Sequence, residues 1–307
     1  MSDLRIAVLG SVNMDLVHCV PRLPKAGETL RALSAAKHIG GKGANQAVAA
    51  ARMGAAAEFF GAVGMDAHGD DALRGFEDNC VDASSVRRIE DVQTGTASIW
   101  VGKDGENAIV ISSGANAHVT PSYVDDCLDK LAQADVLLLQ FEVPHATIKH
   151  VLQVLPPGRP KIVLDPAPVA PLDGLNLSRL YCITPNEEEL AQLSGARGPE
   201  EGARALQERG IGHVICTLGS QGAYALTPEG NSLRASAYKV DAKDTTASGD
   251  AFAAALAVAC GMNGTDLGRA LQTACAAGAL AATRVGAWPS LPTRKEVERL
   301  LQAAGKE

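Results

Sequence analysis

Residues 244–250 read Asp-Thr-Thr-Ala-Ser-Gly-Asp and run directly into Ala251-Phe-Ala-Ala-Ala-Leu-Ala-Val-Ala259. The second stretch is apolar all round, so a helix formed there is expected to be buried. The first N–H groups of a helix have no partner within it and carry the positive end of its dipole, which favours an anion. Ala247, Ser248 and Gly249 are small enough to let that anion come close to the backbone. A carboxylate beside it, Asp250, is misplaced unless it takes a proton from a group attacking the anion. That combination suggests phosphoryl transfer to a hydroxyl. The competing reading is an ordinary helix start, because Asp and Ser are common N-caps, and these seven residues alone leave both open.

Other clusters add polar groups of the right kinds. Gly40-Gly41-Lys42-Gly43-Ala44-Asn45-Gln46 precedes a helix of small residues, and its glycines permit close approach of backbone to a ligand. It is neither a Walker loop, because Gly follows Lys42, nor a dinucleotide fingerprint, because Gln46 fills the last glycine position. Asn13 and Asp15 follow an apolar strand and lie two apart, so in extended chain they point to one side, as a pair holding adjacent hydroxyls of a polyol would. Glu142, in Gln140-Phe-Glu-Val-Pro144, stands just past another buried strand, where a substrate contact or a charge flanking the next helix is expected. In Thr184-Pro-Asn-Glu-Glu-Glu189, Thr184 with Glu187 reads as a capping box and Pro185 suits the first helical position. This leaves Asn186 and Glu189 on one helical face, an amide and a carboxylate suited to a hydrated Mg²⁺. Thr217-Leu-Gly219-Ser220-Gln-Gly222 offers hydroxyls and a tight turn after a further strand, for a nucleotide phosphate or simply for a hairpin.

The elements that must position these groups are legible as alternation. Arg5–Leu9, 136–140, Lys161–Leu164, 181–184 and His213–Thr217 are continuously apolar, as strands covered on both faces are. Helical stretches lie between them at 43–53, 70–79, 121–133, 145–154, 186–193 and 200–209. The expected fold class is α/β, a three-layer α/β/α sandwich around a mostly parallel sheet, with ligands beyond the carboxyl ends of the strands. Residues 12–39 and 94–112 break the pattern with polar–apolar alternation and a turn at Asp104-Gly105, and are expected to form a small antiparallel lid. The whole chain, 1–307, is read as one domain carrying that lid.

With 307 residues, 46% of them hydrophobic, 21% charged and a net charge of −7, the chain has the composition of a globular α/β protein and no basic field for nucleic acid. Its seven cysteines lack any C-x-x-C pair, which reads as buried thiols in a reducing compartment. Met-Ser-Asp-Leu-Arg enters a strand directly, without the pattern of a leader, and no apolar run suits a membrane span. A cytoplasmic protein is expected.

The order and spacing of these motifs are more specific than any one of them. Gly10-Ser-Val-Asn-Met-Asp15, Gly40–Ala50, Thr184–Glu187, Thr217–Ser220 and Asp244–Asp250 together resemble the ribokinase-like family of sugar and nucleoside kinases over essentially the whole chain. The Gly-Gly-Lys-Gly-Ala-Asn-Gln form is similar to that of the members acting on ribose. The resemblance implies ATP-dependent phosphorylation of D-ribose at its 5-hydroxyl. It makes Asp250 the base and the N–H groups of Ala247, Ser248, Gly249 and Asp250 an anion hole. Ribose would be held by Asn13, Asp15, Gly41, Lys42, Asn45 and Glu142. ATP would lie against Asn186, Thr217, Gly219, Ser220 and Gly222, with Mg²⁺ organised by Asn186 and Glu189. A K⁺ site would use Asp244, Thr246, Ala281, Arg284, Gly286 and Ser290, and the lid would carry a homodimer contact. Two departures stand out: Ala247-Ser248 replaces the common Gly-Ala, and Ala253 and Ala254 stand where relatives often have Asn or Gly.

Three alternatives have their own discriminating features. A kinase for deoxyribose, fructose or a nucleoside would keep the chemistry; a nucleoside needs an apolar platform, and aromatic residues are only 4% here. A dinucleotide-dependent oxidoreductase requires glycines that Gly10–Asp15 lacks. A non-catalytic sugar-binding protein would not need Asp250 with an intact anion-hole segment.

Overall fold

In the computed structural model, which describes residues 4–262 and 264–305, the chain opens on strand β1 (Arg5–Leu9). Met1, Ser2 and Asp3, on which the expected lack of a leader partly rests, lie outside the described residues. A hairpin of β2 (Asn13–Val20) and β3 (Ser34–Gly40) follows, then α1 (Lys42–Arg52) and β4 (Ala56–Phe60), which returns beside β1. Strand β5 (Ala62–Gly64), helix α2 (Ala67–Asp78) and strand β6 (Arg87–Ile89) lead to a second hairpin, β7 (Gly95–Gly102) and β8 (Asn107–Ser112). Helices and strands then alternate: α3 (Pro121–Ala132), β9 (Val136–Leu139), α4 (His145–Val154), β10 (Lys161–Leu164), β11 (Leu180–Ile183), α5 (Glu187–Ser194), α6 (Pro199–Glu208) and β12 (His213–Thr217). A meander of β13 (Ala223–Leu226) and β14 (Ser232–Ala235) precedes α7 (Ser248–Gly261), α8 (Leu267–Ala281), α9 (Ala287–Ser290) and α10 (Arg294–Ala304).

The main sheet has the order β14-β13-β12-β11-β10-β9-β1-β4 and is parallel from β12 to β4, with β13 antiparallel to both its neighbours. Successive side chains of a strand point to opposite faces, and both faces are covered. In β1, Ile6 and Val8 join the core beneath α1, α7 and α8, whereas Ala7 and Leu9 join the core beneath α3, α4 and α6. This is the three-layer α/β/α architecture expected from the unbroken apolar runs. Helix α7 is buried from Asp250 to Cys260 between α1 and α8. Its alanines make the close approach possible, and so does Gly278 of α8, where a Cβ would stand 3.2 Å from the Ser248 carbonyl oxygen. Among the described residues no helix is long and apolar enough to cross a membrane.

The two segments that broke the alternation form a second sheet of order β3-β2-β7-β8. Each hairpin is antiparallel, and the two join through a parallel β2–β7 pair, because both strands leave the main body in the same direction. Gly105 turns the second hairpin with a φ of 87°. Residue Asn13 starts β2 opposite Gly40 on one side and Gly95 on the other, so the root of this sheet sits at the carboxyl end of β1. The glycine run before α1 serves this junction. A Cβ on Gly41 would meet Asn13 N at 2.8 Å, and one on Gly43 would meet Ser11 N at 2.7 Å. Their close approach is therefore to the chain's own backbone, a use that the sequence did not distinguish from contact with a ligand.

Candidate active site

The carboxyl ends of β1, β9 and β10 and the first turns of α1 and α7 converge on one cluster of polar groups. Asn13 is buried and its side-chain oxygen accepts from Asn116 Nδ2 at 2.8 Å. Asp15 follows two residues along β2, beneath Gly40, where a Cβ would come within 2.1 Å of its Oδ2. Burial, then the charges of Glu142 and Asp250, push the Asp15 carboxyl up to about 7. Glu142 lies just past β9 and accepts a hydrogen bond from the Ser11 hydroxyl and another from the Lys42 backbone N–H at 2.9 Å. Expected as a substrate contact, it also ties the start of α1 to the end of β1.

Asp250, in the first turn of α7, is 5% exposed. Its Oδ2 accepts from Asn45 Nδ2 at 2.8 Å and its Oδ1 from Gln46 Nε2 at 3.1 Å. Burial raises its pKa above the ordinary value, although Lys42, Asn45 and Gln46 all oppose the shift. A stronger base than an exposed aspartate results. Asn45 Oδ1 is buried and has no hydrogen-bond partner among the described residues, so it can accept a further hydrogen bond. Lys42 Nζ lies 3.8 Å from Asp165 Oδ2. Burial opposes its charge, but Asp165, Asp250, Glu142 and Glu189 together hold its pKa above the usual lysine value.

Asp165 is absent from the residues expected on sequence grounds. It is 6% exposed, just past β10, and accepts from Gln46 Nε2 at 2.9 Å. Its position beyond a strand's carboxyl end is the same signal that picked out Glu142, and it was available in Val-Leu-Asp-Pro. Gln140, fully buried after an apolar strand, carried a similar signal. Ser11 and Asn116 had none, since only the folded chain brings them to Glu142 and Asn13.

On the other side of the α7 start lies a cavity of about 560 Å³. Thr217, Gly219, Ser220 and Gly222 line it from the turn after β12, and Ser248 and Gly249 from α7. Tyr238, Val240 and Phe252 supply apolar wall. The departure at Ala253 and Ala254 falls in the helix core, where both are buried. Ala247 caps α7 in the left-handed region with φ 60°, a conformation that costs a non-glycine residue of order 1 kcal/mol. This turn leaves the N–H groups of Ala247, Gly249 and Asp250 without a hydrogen bond among the described residues, whereas that of Ser248 donates to Thr245 O at 3.1 Å. Three of the four expected donors are thus unengaged. Ser248 Oγ is buried without a partner at the same spot.

The helix start near 186 differs from expectation. Asn186, not Thr184, is the N-cap: its Oδ1 accepts from Glu189 N and Glu189 Oε2 accepts from Asn186 N, each at 2.8 Å. The box slides by two residues because Thr184 N is already spent on Leu164 O in extending the sheet. Asn186 also bridges to Thr217 in parallel fashion, which brings it to the cavity side. Among the described residues no group of three or more His, Cys, Asp or Glu side chains could hold a metal ion.

Of the remaining expected residues, the structure brings Thr246 and Gly286 to Asp244 and shows no contact of Ala281, Arg284 or Ser290 with it. Asp244 Oδ1 accepts from Thr246 N and Oγ1, and its Oδ2 from Gly286 N at 2.8 Å. Burial raises this carboxyl, but those bonds outweigh it and hold the pKa below the ordinary range. Ala281 O accepts from Arg284 N at 3.4 Å. The Arg284 guanidinium turns away to pair with Glu296, and Ser290 is buried with its hydroxyl donating to Ala287 O at 2.7 Å.

Comparison with known proteins agrees with this architecture. The ribokinase of Haemophilus influenzae is 37% identical over 304 residues, covering 97% of this chain and 99% of that one. A deoxyribokinase of Salmonella typhi is 32% identical, covering 96% and 98%. The structure of Arabidopsis thaliana ribokinase complexed with ribose and ATP superposes with a TM-score of 0.89 at 32% identity, covering 98% of this chain and 99% of that one. Residues 3–294 match the model of the pfkB family carbohydrate kinases. The chain belongs to the pfkB family of carbohydrate kinases.

Proposed function

We propose that this protein phosphorylates D-ribose at its 5-hydroxyl with ATP, using Asp250 as the general base. The observation that carries the reading is the first turn of α7. Ser248 and Gly249 line the 560 Å³ cavity, while the next residue, Asp250, bonds Asn45 on the opposite side. One helix turn thus separates a nucleotide-sized space from a pocket of short polar side chains. The kinship with ribokinases and with a ribokinase that binds ribose and ATP supports the same substrates here.

In this mechanism Asn13, Asp15, Asn45, Lys42 and Glu142 hold the sugar beside Gly41, with Asn45 Oδ1 accepting one of its hydroxyls. Thr217, Gly219, Ser220, Gly222 and Asn186 hold the nucleotide. Asp250 removes the hydroxyl proton as the sugar oxygen forms its bond to the γ-phosphorus and the bond from that phosphorus to the bridging oxygen of ADP breaks. The unengaged N–H groups of Ala247, Gly249 and Asp250 receive the charge that builds on the transferring group, the largest contribution a protein makes to such a step. When bound, Mg²⁺ would neutralise the nucleotide phosphates. Glu189 suits it through water, because its charge reaches Lys42 and Asp165 although one of its oxygens is used in the helix cap. A K⁺ ion would be held by Asp244, whose carboxylate is kept anionic by bonds from Thr246 and Gly286 N, with Thr246, Ala281, Arg284, Gly286 and Ser290 completing the set. All seven cysteines are free, but Cys19 and Cys80 are exposed and Cys127 half-buried where buried thiols were expected; free thiols suit a cytoplasmic setting.

The deciding measurement is ADP release from MgATP with K⁺ present, across ribose, deoxyribose, fructose and adenosine. Turnover is expected to be fastest with ribose and to fall when Na⁺ replaces K⁺. A preference for deoxyribose would keep the chemistry and overturn the substrate, and no turnover with any acceptor would overturn both. The second sheet supports a homodimer. Its edge strand β8 exposes Ile109, Val110 and Ile111 by 52%, 59% and 52%, so apolar side chains stand on both faces of one strand, a surface that isolated chains normally protect. Sedimentation equilibrium should return twice the chain mass, and V110K should return a single chain. A monomeric unsubstituted protein would refute the contact.

A further inference from the structure

Gln140, Gln46 and Asp165 form a buried polar chain behind the base. Gln140 and Gln46 are fully buried, and Gln140 Nε2 donates to Gln46 Oε1 at 2.5 Å. With its oxygen so engaged, the Gln46 amide turns its nitrogen toward two carboxylates at once. Nε2 donates to Asp165 Oδ2 at 2.9 Å and to Asp250 Oδ1 at 3.1 Å. An amide nitrogen carries two hydrogens, one for each acceptor. The oxygen of Asp165 that takes this bond is also the one 3.8 Å from Lys42 Nζ.

We infer that Gln46 and Asp165 are positioning residues for the proposed base: Gln46 fixes Asp250 and yokes it to Asp165, and Asp165 draws Lys42 away and keeps Asp250 basic. The inference rests on the kinase reading of the site and adds to it how the base is tuned. Two opposed effects set the proton affinity of Asp250 from this side. The hydrogen bond from Gln46 favours its ionised form. The negative charge of Asp165 disfavours it, directly and by drawing on the charge of Lys42. The other charged groups facing the pair are Lys42 from α1, Glu142 past β9, Asp15 from β2 and Glu189 from α5. They remain in place in both variants below.

The test is the pH dependence of kcat/KM for ribose, whose acid limb reports ionisation of the base in the free enzyme. Asp165→Asn, which is isosteric, is expected to move that limb down by about one pH unit. Gln46→Met, which keeps every charge and removes only the amide, is expected to move it up. Opposite displacements are the signature of tuning. Limbs that coincide with that of the unsubstituted protein, or that move in the same direction, would overturn the proposal, since a role confined to packing lowers activity without that pattern. Thermal unfolding of each variant checks the fold, and Gln46→Met carries the test alone if Asp165→Asn does not fold. Absence of ribose-dependent turnover in the unsubstituted protein would instead overturn the kinase reading and the proposal with it.

Discussion

Asp250→Asn is expected to lower kcat for ribose phosphorylation about a thousandfold, the range in which a positioned general base contributes, while KM for ribose and ATP changes little. The side chain keeps its shape, so the anion-binding turn of α7 and the cavity beside it persist. What is lost is the acceptor: Asn45 Nδ2 and Gln46 Nε2 each donate to one oxygen of Asp250, and an amide can answer only one of them. It offers no basic lone pair to the attacking hydroxyl. Stability should not fall in step, because the substitution also removes a buried charge that stands among Asp15, Asp165 and Glu142. A coupled assay of ADP release with both substrates saturating, paired with thermal unfolding, separates the two effects. Near-normal kcat in a folded variant would remove Asp250 from the chemistry, and a loss of activity matched by a loss of folded protein would make its role structural.

The same residue shows what a sequence discloses and what it withholds. The Asp244–Asp250 segment announces a buried helix with an anion-binding start because each component is local: small residues, a glycine, an apolar run. Strands β1, β10 and β12 are legible to the residue, since a strand buried on both faces leaves an unbroken apolar record. The parallel joining of the two lid hairpins is not local, and nothing in either hairpin specifies it. Capping at 186 is a case of two adjacent sequences that both satisfy the capping pattern, decided by the sheet's claim on Thr184. The pairing of Asp165 with Gln46 escapes for another reason. The place of Asp165 past β10 was readable, but the link between the two was not: one Gln46 nitrogen is shared between carboxylates distant in the chain, a relation that spacing does not encode. The glycines at 41 and 43 were legible as sites of close approach, but the partner they approach is the backbone of residues 10–13.

Lys42→Met tests the electrostatics that hold these carboxylates together, and its expected effect depends on pH in a definite direction. Lys42 is the cation facing Asp165, Asp250, Glu142 and Glu189, and its side chain retains 30% exposure. Removing one partner of a buried pair costs about 3 kcal/mol at the lower end of the usual range, and the partial exposure argues for that end. Burial pushes the Asp15 carboxyl up to about 7 in the folded protein against 3.8 for an ordinary aspartate, and burial beside Asp250 raises Asp165 as well. A carboxyl whose folded pKa is raised contributes stability that is fully present below its unfolded pKa and is lost as pH rises through the folded one. The unsubstituted protein should therefore lose stability from Asp15 between about pH 4 and 7, and Asp165 adds a loss of the same sign as it ionises. Without Lys42, Asp165 and Asp250 become still harder to ionise, so the loss continues above pH 7. The gap between variant and parent should be smaller at pH 5, where fewer of these carboxyls are ionised, and should approach about 3 kcal/mol at pH 8. Urea unfolding at the two pH values measures it directly. An equal gap at both would mean that the methylene stem of Lys42, and not its charge, is what the fold uses, and the cluster of raised carboxyls would then need another source of compensation.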